Sequence, residues 1–368
     1  MKILVIQQKM IGDVLVSSLL CNNLRKAYPS AQIDYMVYKS TLPVLKGNTS
    51  IDNFILFEKK HRKSKLKFFK LIFDIRKEKY DLVIDAYSKL ESWLTVLFSN
   101  ATTKISYKKF GRTFLYTHNV PLCDEPKSNI GLVIERRLSL LSPLNLNTRI
   151  EVEPSLLVTE EERKIVAKLF NDFKLDTTKK TVMISIVGSR FNKTYPLNYM
   201  ARVIDLIAAK VDANILFNYI PKQRELAKKV YNYCSEETKK NIYFELLGKD
   251  LREFITIMDA CDFIVGNDGG AINMSKALKK PSFTIFSPWI EKRFWSTFEE
   301  GQFKNQKLGR MRSLTGLTYQ LPGVLPELNI SGTLYVPSVK TISYDEGGRV
   351  TSQKEHSLTD LKHVKCDD

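Results

Sequence analysis

Residues 263–288, FIVGNDGGAINMSKALKKPSFTIFSP, carry the reading that decides the fold. Phe263, Ile264 and Val265 make an apolar run, Gly266-Asn267-Asp268-Gly269-Gly270 breaks it, and Ile272, Met274, Ala277 and Leu278 then recur at helical spacing. The pattern predicts strand, glycine turn, helix. Such a junction aims free backbone N–H groups and the positive end of the helix dipole at one point, where an anion can settle. Two adjacent glycines leave the backbone open to close approach by a ligand. Lys279-Lys280-Pro281 stops the helix and Ser282–Phe286 reads as the next buried strand, which completes a βαβ unit. Taken alone, the turn fits a phosphate site or a plain strand-to-helix connection.

The residues leading to this stretch repeat its architecture. Thr181–Val187, Asn214–Asn218 and Ile242–Glu245 read as strands, and Leu197–Lys210, Gln223–Tyr233 and Leu251–Ala260 as helices. The loop 188–196, GSRFNKTYP, lies at a strand's carboxyl end and offers Lys193 as a phosphate contact or as an ordinary exposed lysine ahead of a helix. Upstream, Thr159 and Glu162 have the spacing of a capping box, which predicts a helix from there to about Phe173.

The N-terminus opens the same way. Lys2–Ile6 (KILVI) predicts a buried parallel strand, the turn 7–13 (QQKMIGD) follows, and Val16, Leu19, Leu20 and Leu24 mark a helix that Pro29 ends. Gln32–Val37 is the second strand, so the opening is also βαβ with a right-handed crossover. Asp13 falls at the carboxyl end of the first strand, where ligands of such sheets gather. Spacing alone lets it cap the helix or face a substrate. GxGxxG is absent and Gly12 stands by itself, so a dinucleotide-binding turn is excluded.

At 368 residues the chain predicts two domains, and 43% hydrophobic with 11% aromatic residues supplies their cores. The boundaries read as 1–155 for the first domain, 156–179 for a linker helix region, 180–305 for the second, and 306–368 for an irregular segment with a polar, poorly ordered tail. Trp289–Phe298 reads as an aromatic amphipathic segment closing the second domain. A net charge of +17 favours a polyanionic partner. Basic residues crowd 59–79, interleaved with Leu66, Phe69, Leu71, Ile72 and Phe73, a pattern that suits an anionic membrane surface or a solvated helix packed on the sheet. No RNA-stacking motif accompanies the charge, which argues against a nucleic-acid partner. Five scattered cysteines without CxxC, and four dispersed histidines, exclude a disulfide framework or a zinc site. The early polar residues of the N-terminus exclude a secretory leader, so the expected setting is cytoplasmic.

Three stretches together resemble one family: residues 1–37, containing IGDVL and the strand PSAQIDYMV; residues 184–207, ISIVGSRFNKTYPLNYMARVIDLI; and residues 246–288, which contain the glycine turn. The chain resembles the ADP-heptose:lipopolysaccharide heptosyltransferases, glycosyltransferase family 9. The resemblance implies an α/β GT-B fold, two facing Rossmann-like domains with parallel sheets and a cleft between them. It implies inverting, metal-independent transfer of a heptose or related sugar from an ADP-sugar to a lipopolysaccharide core or related glycolipid, without a cofactor. It places the enzyme peripherally on the inner face of the cytoplasmic membrane. The family pattern carries Asp13 over as catalytic base and Lys193 as the charge that meets the leaving diphosphate. Ser189, Asn267, Asp268, Gly269 and Gly270 fall on the donor side with Glu225 near the ribose, and Gly12 and Lys9 on the acceptor side. Where the family commonly has threonine, histidine and tryptophan, this chain has Gly269, Asn273 and Tyr195, and Lys9-Met10 replace small serines.

Overall fold

A computed structural model describes residues 1–287 and 290–298 and the strands 303–307, 339–344 and 350–356. The first half runs β1 (Lys2–Ile6), α1 (Ile11–Ala27), β2 (Gln32–Tyr38), a 3-10 turn over Lys39–Leu45, β3 (Asn53–Phe57), α2 (Lys59–Lys63), α3 (Lys65–Lys77), β4 (Leu82–Asp85), α4 (Leu90–Phe98), β5 (Thr103–Tyr107), β6 (His118–Val120) and α5 (Leu132–Ser139). Helix α6 (Glu160–Asp172) leads to the second half. There β7 (Lys180–Ser185), α7 (Leu197–Lys210), β8 (Ala213–Asn218), α8 (Arg224–Tyr233), α9 (Glu236–Lys239), β9 (Ile242–Tyr243), α10 (Leu251–Ala260), β10 (Phe263–Asn267), α11 (Gly270–Ala277), β11 (Ser282–Phe286), α12 (Lys292–Trp295) and β12 (Phe303–Lys307) follow in order.

The strands form two parallel sheets, β3-β2-β1-β4-β5-β6 and β12-β11-β10-β7-β8-β9. Counted within its half, each has the doubly wound order 3-2-1-4-5-6, as the repeated βαβ pattern predicts. The order reverses between β1 and β4 and again between β7 and β10, and ligands of such sheets bind beside those reversals. Central strands are apolar on both faces because helices cover both: Ile3, Leu4, Val5 and Ile6 of β1 are fully buried. Each such side chain contributes about 1.5–3 kcal/mol on leaving water.

The halves are docked against each other. One buried cluster runs from Ile3, Val5 and Val14 of the first half to Ile255, Ile272 and Met274 of the second. Helix α6 starts at the predicted cap: Thr159 Oγ1 accepts from Glu162 N, and Glu162 Oε2 accepts from Thr159 N at 3.0 Å. Glu162 also receives Arg252 of α10 through Nε at 2.7 Å and Nη2 at 2.6 Å, and Lys46 at 2.7 Å. Arg252 donates further to the Pro43 carbonyl at 3.2 Å, so one guanidinium ties α10 to both the linker helix and the first half.

Three differences from the sequence reading have physical causes. Strand β3 was not anticipated; it is an edge strand, exposed at Asn53 and Phe54 and buried at Phe57, without the run of buried residues that marks a central strand. The segment expected at Trp289–Phe298 contributes only the four-residue α12, and Trp289 lies outside the described residues. In the polar tail, β13 (Val339–Tyr344) and β14 (Val350–His356) pair antiparallel where the composition predicts no order. The rest of the tail and most of 306–338 lie outside the described residues.

Candidate active site

The site is built where the two chain reversals meet. In the first half the N-cap of α1 is Met10, which supplies no side-chain cap, and Asp13 sits in the first turn near the positive end of the helix dipole. Asp13 therefore does not cap the helix. Its Oδ1 accepts from Arg137 Nη2 at 2.9 Å, and its side chain keeps 22% of its surface exposed. Arg137 comes from α5 and is 13% exposed; it donates Nε to Ser17 Oγ at 2.8 Å and Nη1 to the Tyr107 hydroxyl at 2.8 Å. All three contacts fix one guanidinium behind one carboxylate. Sequence reasoning missed Arg137, and a signal existed: it lies three and four residues from the buried Ile134 and Val133, at the spacing that puts all three on one side of α5.

Lys9 and Gly12 flank this carboxylate in the chain. Lys9 is half-buried with its ammonium 5.7 Å from the Tyr38 ring centroid, and its carbonyl accepts from Gln7 Nε2 at 2.6 Å. Gly12 is buried because α11 leaves no room for more: a Cβ there would lie 2.6 Å from Asn273 Nδ2.

In the second half, Asn267 ends β10 with its amide fully used. Nδ2 donates to the carbonyls of Ser185 at 3.0 Å and Ile186 at 2.7 Å, and Oδ1 accepts from Tyr195 N at 2.6 Å. Asn267 was assigned to donor contact; its side-chain amide braces the 186–195 loop. The loop is tied at several points. Gly188 N donates to Thr194 Oγ1 at 3.1 Å, Gln223 Nε2 donates to the Gly188 carbonyl at 3.2 Å, and a Cβ at Gly188 would run into the Lys193 carbonyl. Ser189 is exposed on it. Glu225 is exposed in the first turn of α8, two residues beyond Gln223. Among the described residues, Lys9 and Glu225 form no hydrogen bond or ion pair with the other site residues.

The glycine turn is open where it faces α1. A Cβ on Gly269, whose φ of 167° is ordinary extended backbone, would meet nothing within 4 Å. On Gly270 it would meet Ile11 Cβ at 3.9 Å. The N-termini of α1 and α11 thus abut, and two positive helix ends converge on one place. Lys193 adds its charge there, since it acts on the carboxyl of Asp268.

Burial pushes the Asp268 carboxyl up to about 6, against the pull of Lys193 and Lys276. A carboxyl raised in the fold disfavours its charged form, so the stability it allows is full below the ordinary carboxylate range and is lost as pH rises through about 6. Above that pH the penalty is about 3 kcal/mol at most. Asp268→Asn is expected to raise the Tm at pH 8 and to leave it nearly unchanged at pH 4. An equal gain at both values would contradict this account.

Comparison with known proteins comes to the same fold. Residues 68–301 match the family described as glycosyltransferase family 9 (heptosyltransferase). The chain is 27% identical over 301 residues to lipopolysaccharide heptosyltransferase 1 of Campylobacter coli, covering 78% of this chain and 84% of that protein. Among solved structures, a glycosyl transferase family 9 protein of Veillonella parvula superposes with a TM-score of 0.73 at 19% identity, over 84% of this chain and 88% of the other. The Escherichia coli ADP-heptose lipopolysaccharide heptosyltransferase II superposes with a TM-score of 0.67 at 21% identity, over 84% and 92%.

Proposed function

This chain belongs to glycosyltransferase family 9, the heptosyltransferases, and from that membership we propose that it moves a heptose from an ADP-sugar to a hydroxyl of a lipopolysaccharide core or related glycolipid, with inversion and without a metal. The observation that supports the reading is the meeting of α1 and α11: Gly12 packs on Asn273 and Ile11 lies by Gly270, which brings the first turn of α1, where Asp13 stands, to the start of α11. Asp13 takes the proton of the acceptor hydroxyl as that oxygen attacks the anomeric carbon. Arg137 holds the carboxylate in one orientation, a positioning role. As the anomeric C–O bond breaks, negative charge grows on the diphosphate. The backbone N–H groups at Gly269 and Gly270, the dipole of α11 and Lys193 neutralise it, the task a magnesium ion performs elsewhere. Transfer that persists in excess EDTA tests the metal independence.

Gly269→Ala separates binding from folding. The backbone at Gly269 suits any residue and its Cβ direction is empty, so stability should change by no more than about 0.5 kcal/mol. The same methyl enters the space given to the diphosphate, and ADP affinity should fall about tenfold, or 1.4 kcal/mol. Calorimetric titration with ADP checks it; unchanged affinity would move the donor away from this turn.

A second reading keeps the reaction and changes the sugar. Asn273 packs on Gly12 at the point where the helices meet, and a side chain of different length there reshapes the space between the halves. Thermal shift against a panel of nucleotide sugars decides, because the donor that binds the native state raises the Tm by mass action.

The acceptor's lipid would keep the enzyme at a membrane. Among the described residues no helix is long and apolar enough to cross one. Helix α3 instead has apolar residues on two faces: Ile72 and Ile75 are buried against the sheet, while Leu66, Phe69 and Phe73 are 85%, 40% and 53% exposed among lysines. That outer face suits an anionic bilayer on the cytoplasmic side.

A further inference from the structure

We propose that the turn between β5 and β6 is a second, lipid-inserting contact, in which Phe110 and Phe114 enter an anionic bilayer beside α3. It rests on the membrane reading of α3 but uses different residues. Phe110 is 103% exposed and Phe114 81%, the highest exposures among the large apolar side chains of the described residues apart from Leu66 on α3 at 85%. The turn is not loose. Arg112 N donates to the Lys109 carbonyl at 3.2 Å, which places Phe110 and Gly111 at the centre of a tight turn. Gly111 takes φ of +70° with open space around it, the conformation such a turn demands at its third position.

Behind the turn, an ordered frame holds both rings out. The Tyr116 hydroxyl donates to Asp85 Oδ2 at 2.8 Å, and Asp85 also accepts from Ser92 Oγ at 2.8 Å and Ser88 N at 2.8 Å. Asn119 Nδ2 donates to the Thr113 carbonyl at 3.0 Å, and the Arg112 guanidinium lies 3.9 Å from the Trp93 ring centroid. A frame this well bonded keeps two phenylalanines in water, which hydration disfavours unless something covers them.

The charge around the rings selects the cover. Lys108 and Lys109 precede Phe110 and Arg112 follows it; Lys109 is half-buried, and its burial first, then the nearby Lys89, disfavours its charged form. None of these four forms an ion pair with a carboxylate among the described residues. Apolar tips with cations beside them in the chain match a surface that is anionic outside and hydrocarbon within. The turn also adjoins the face assigned to α3. Arg112 rests on Trp93 of α4, and Phe98 of α4 meets Phe69 of α3 at a ring-centroid distance of 6.5 Å. Leu90 and Leu97, 61% and 46% exposed, lie on the connecting α4.

Co-sedimentation of the full chain tests this, with vesicles of phosphatidylcholine alone and of phosphatidylcholine with phosphatidylglycerol. The wild type should bind the anionic vesicles and largely ignore the neutral ones. Phe110→Ser/Phe114→Ser should lower partitioning at least about tenfold at an unchanged Tm. A Lys67→Glu/Lys70→Glu variant tests α3 separately. If that variant loses binding while the phenylalanine variant binds like the wild type, the loop contact is overturned and the α3 reading stands. If the wild type binds neither vesicle, both fall. Phe110→Trp gives an independent readout: its added emission should shift to the blue on anionic vesicles, and emission that stays that of an exposed indole in the vesicle-bound protein overturns insertion.

Discussion

Replacing Asp13 by alanine is expected to lower the rate of sugar transfer on the order of 10²- to 10⁴-fold while leaving affinity for the ADP-sugar nearly unchanged. The asymmetry follows from where the carboxylate sits. It lies on the first half, hydrogen-bonded to Arg137, whereas the elements given to the donor diphosphate lie on the second. Removal of a general base raises the barrier without removing a donor contact, so kcat carries the loss and donor binding does not. The fold should survive, because Asp13 is partly exposed and does not cap its helix. The companion Arg137→Met keeps much of the volume and removes the three donors that fix Asp13, Ser17 and Tyr107. It should lower kcat and shift its pH profile, and a loss of stability alone would reduce Arg137 to a structural part. Comparable rates for Asp13→Ala and wild type would remove the base from the mechanism.

Lys193→Ala is the second large effect, a fall in turnover on the order of 10²- to 10³-fold. The lysine stands on a loop whose backbone is bonded at Gly188 N and the Arg190 carbonyl, both through the Thr194 hydroxyl, and at Tyr195 N, so the backbone that carries its charge is fixed before any ligand arrives. A fixed charge needs no reorganisation as the leaving group becomes anionic, which is why its loss should weigh more on turnover than on binding. Donor affinity should fall too, by a smaller factor, because the ground-state diphosphate is already charged. Rates measured under saturating donor separate the two effects. A loss confined to KM would show that Lys193 binds the diphosphate without favouring its departure.

What the chain discloses in advance is what depends on near neighbours. The strand KILVI and the Phe263–Val265 run of β10 are legible because buried parallel strands need continuous apolar runs, and the cap of α6 because Thr159 and Glu162 lie within one turn. Arg137 was not, since its partner Asp13 is 124 positions away and only the closed fold brings them together. The brace made by Asn267 was hidden for the same reason. An asparagine before two glycines suggests a ligand contact, yet its amide is consumed by loop carbonyls some 80 residues earlier in the chain. The clamp of Arg252 on Glu162 and Pro43 likewise joins three distant segments, and no local pattern announces it. Motif reasoning thus located the turns, while which side chains brace them and which stay free was left to tertiary packing.

Everything proposed for the reaction depends on a diphosphate sitting at the start of α11 within reach of Asp13. A crystal structure of the full chain soaked with ADP measures this directly. The account predicts phosphate oxygens within hydrogen-bond distance of the backbone N–H groups at Gly269 or Gly270 and of Lys193 Nζ, with the Asp13 carboxylate facing the same space. Phosphates bound elsewhere on the protein, or density at α11 with Lys193 turned away, would contradict it.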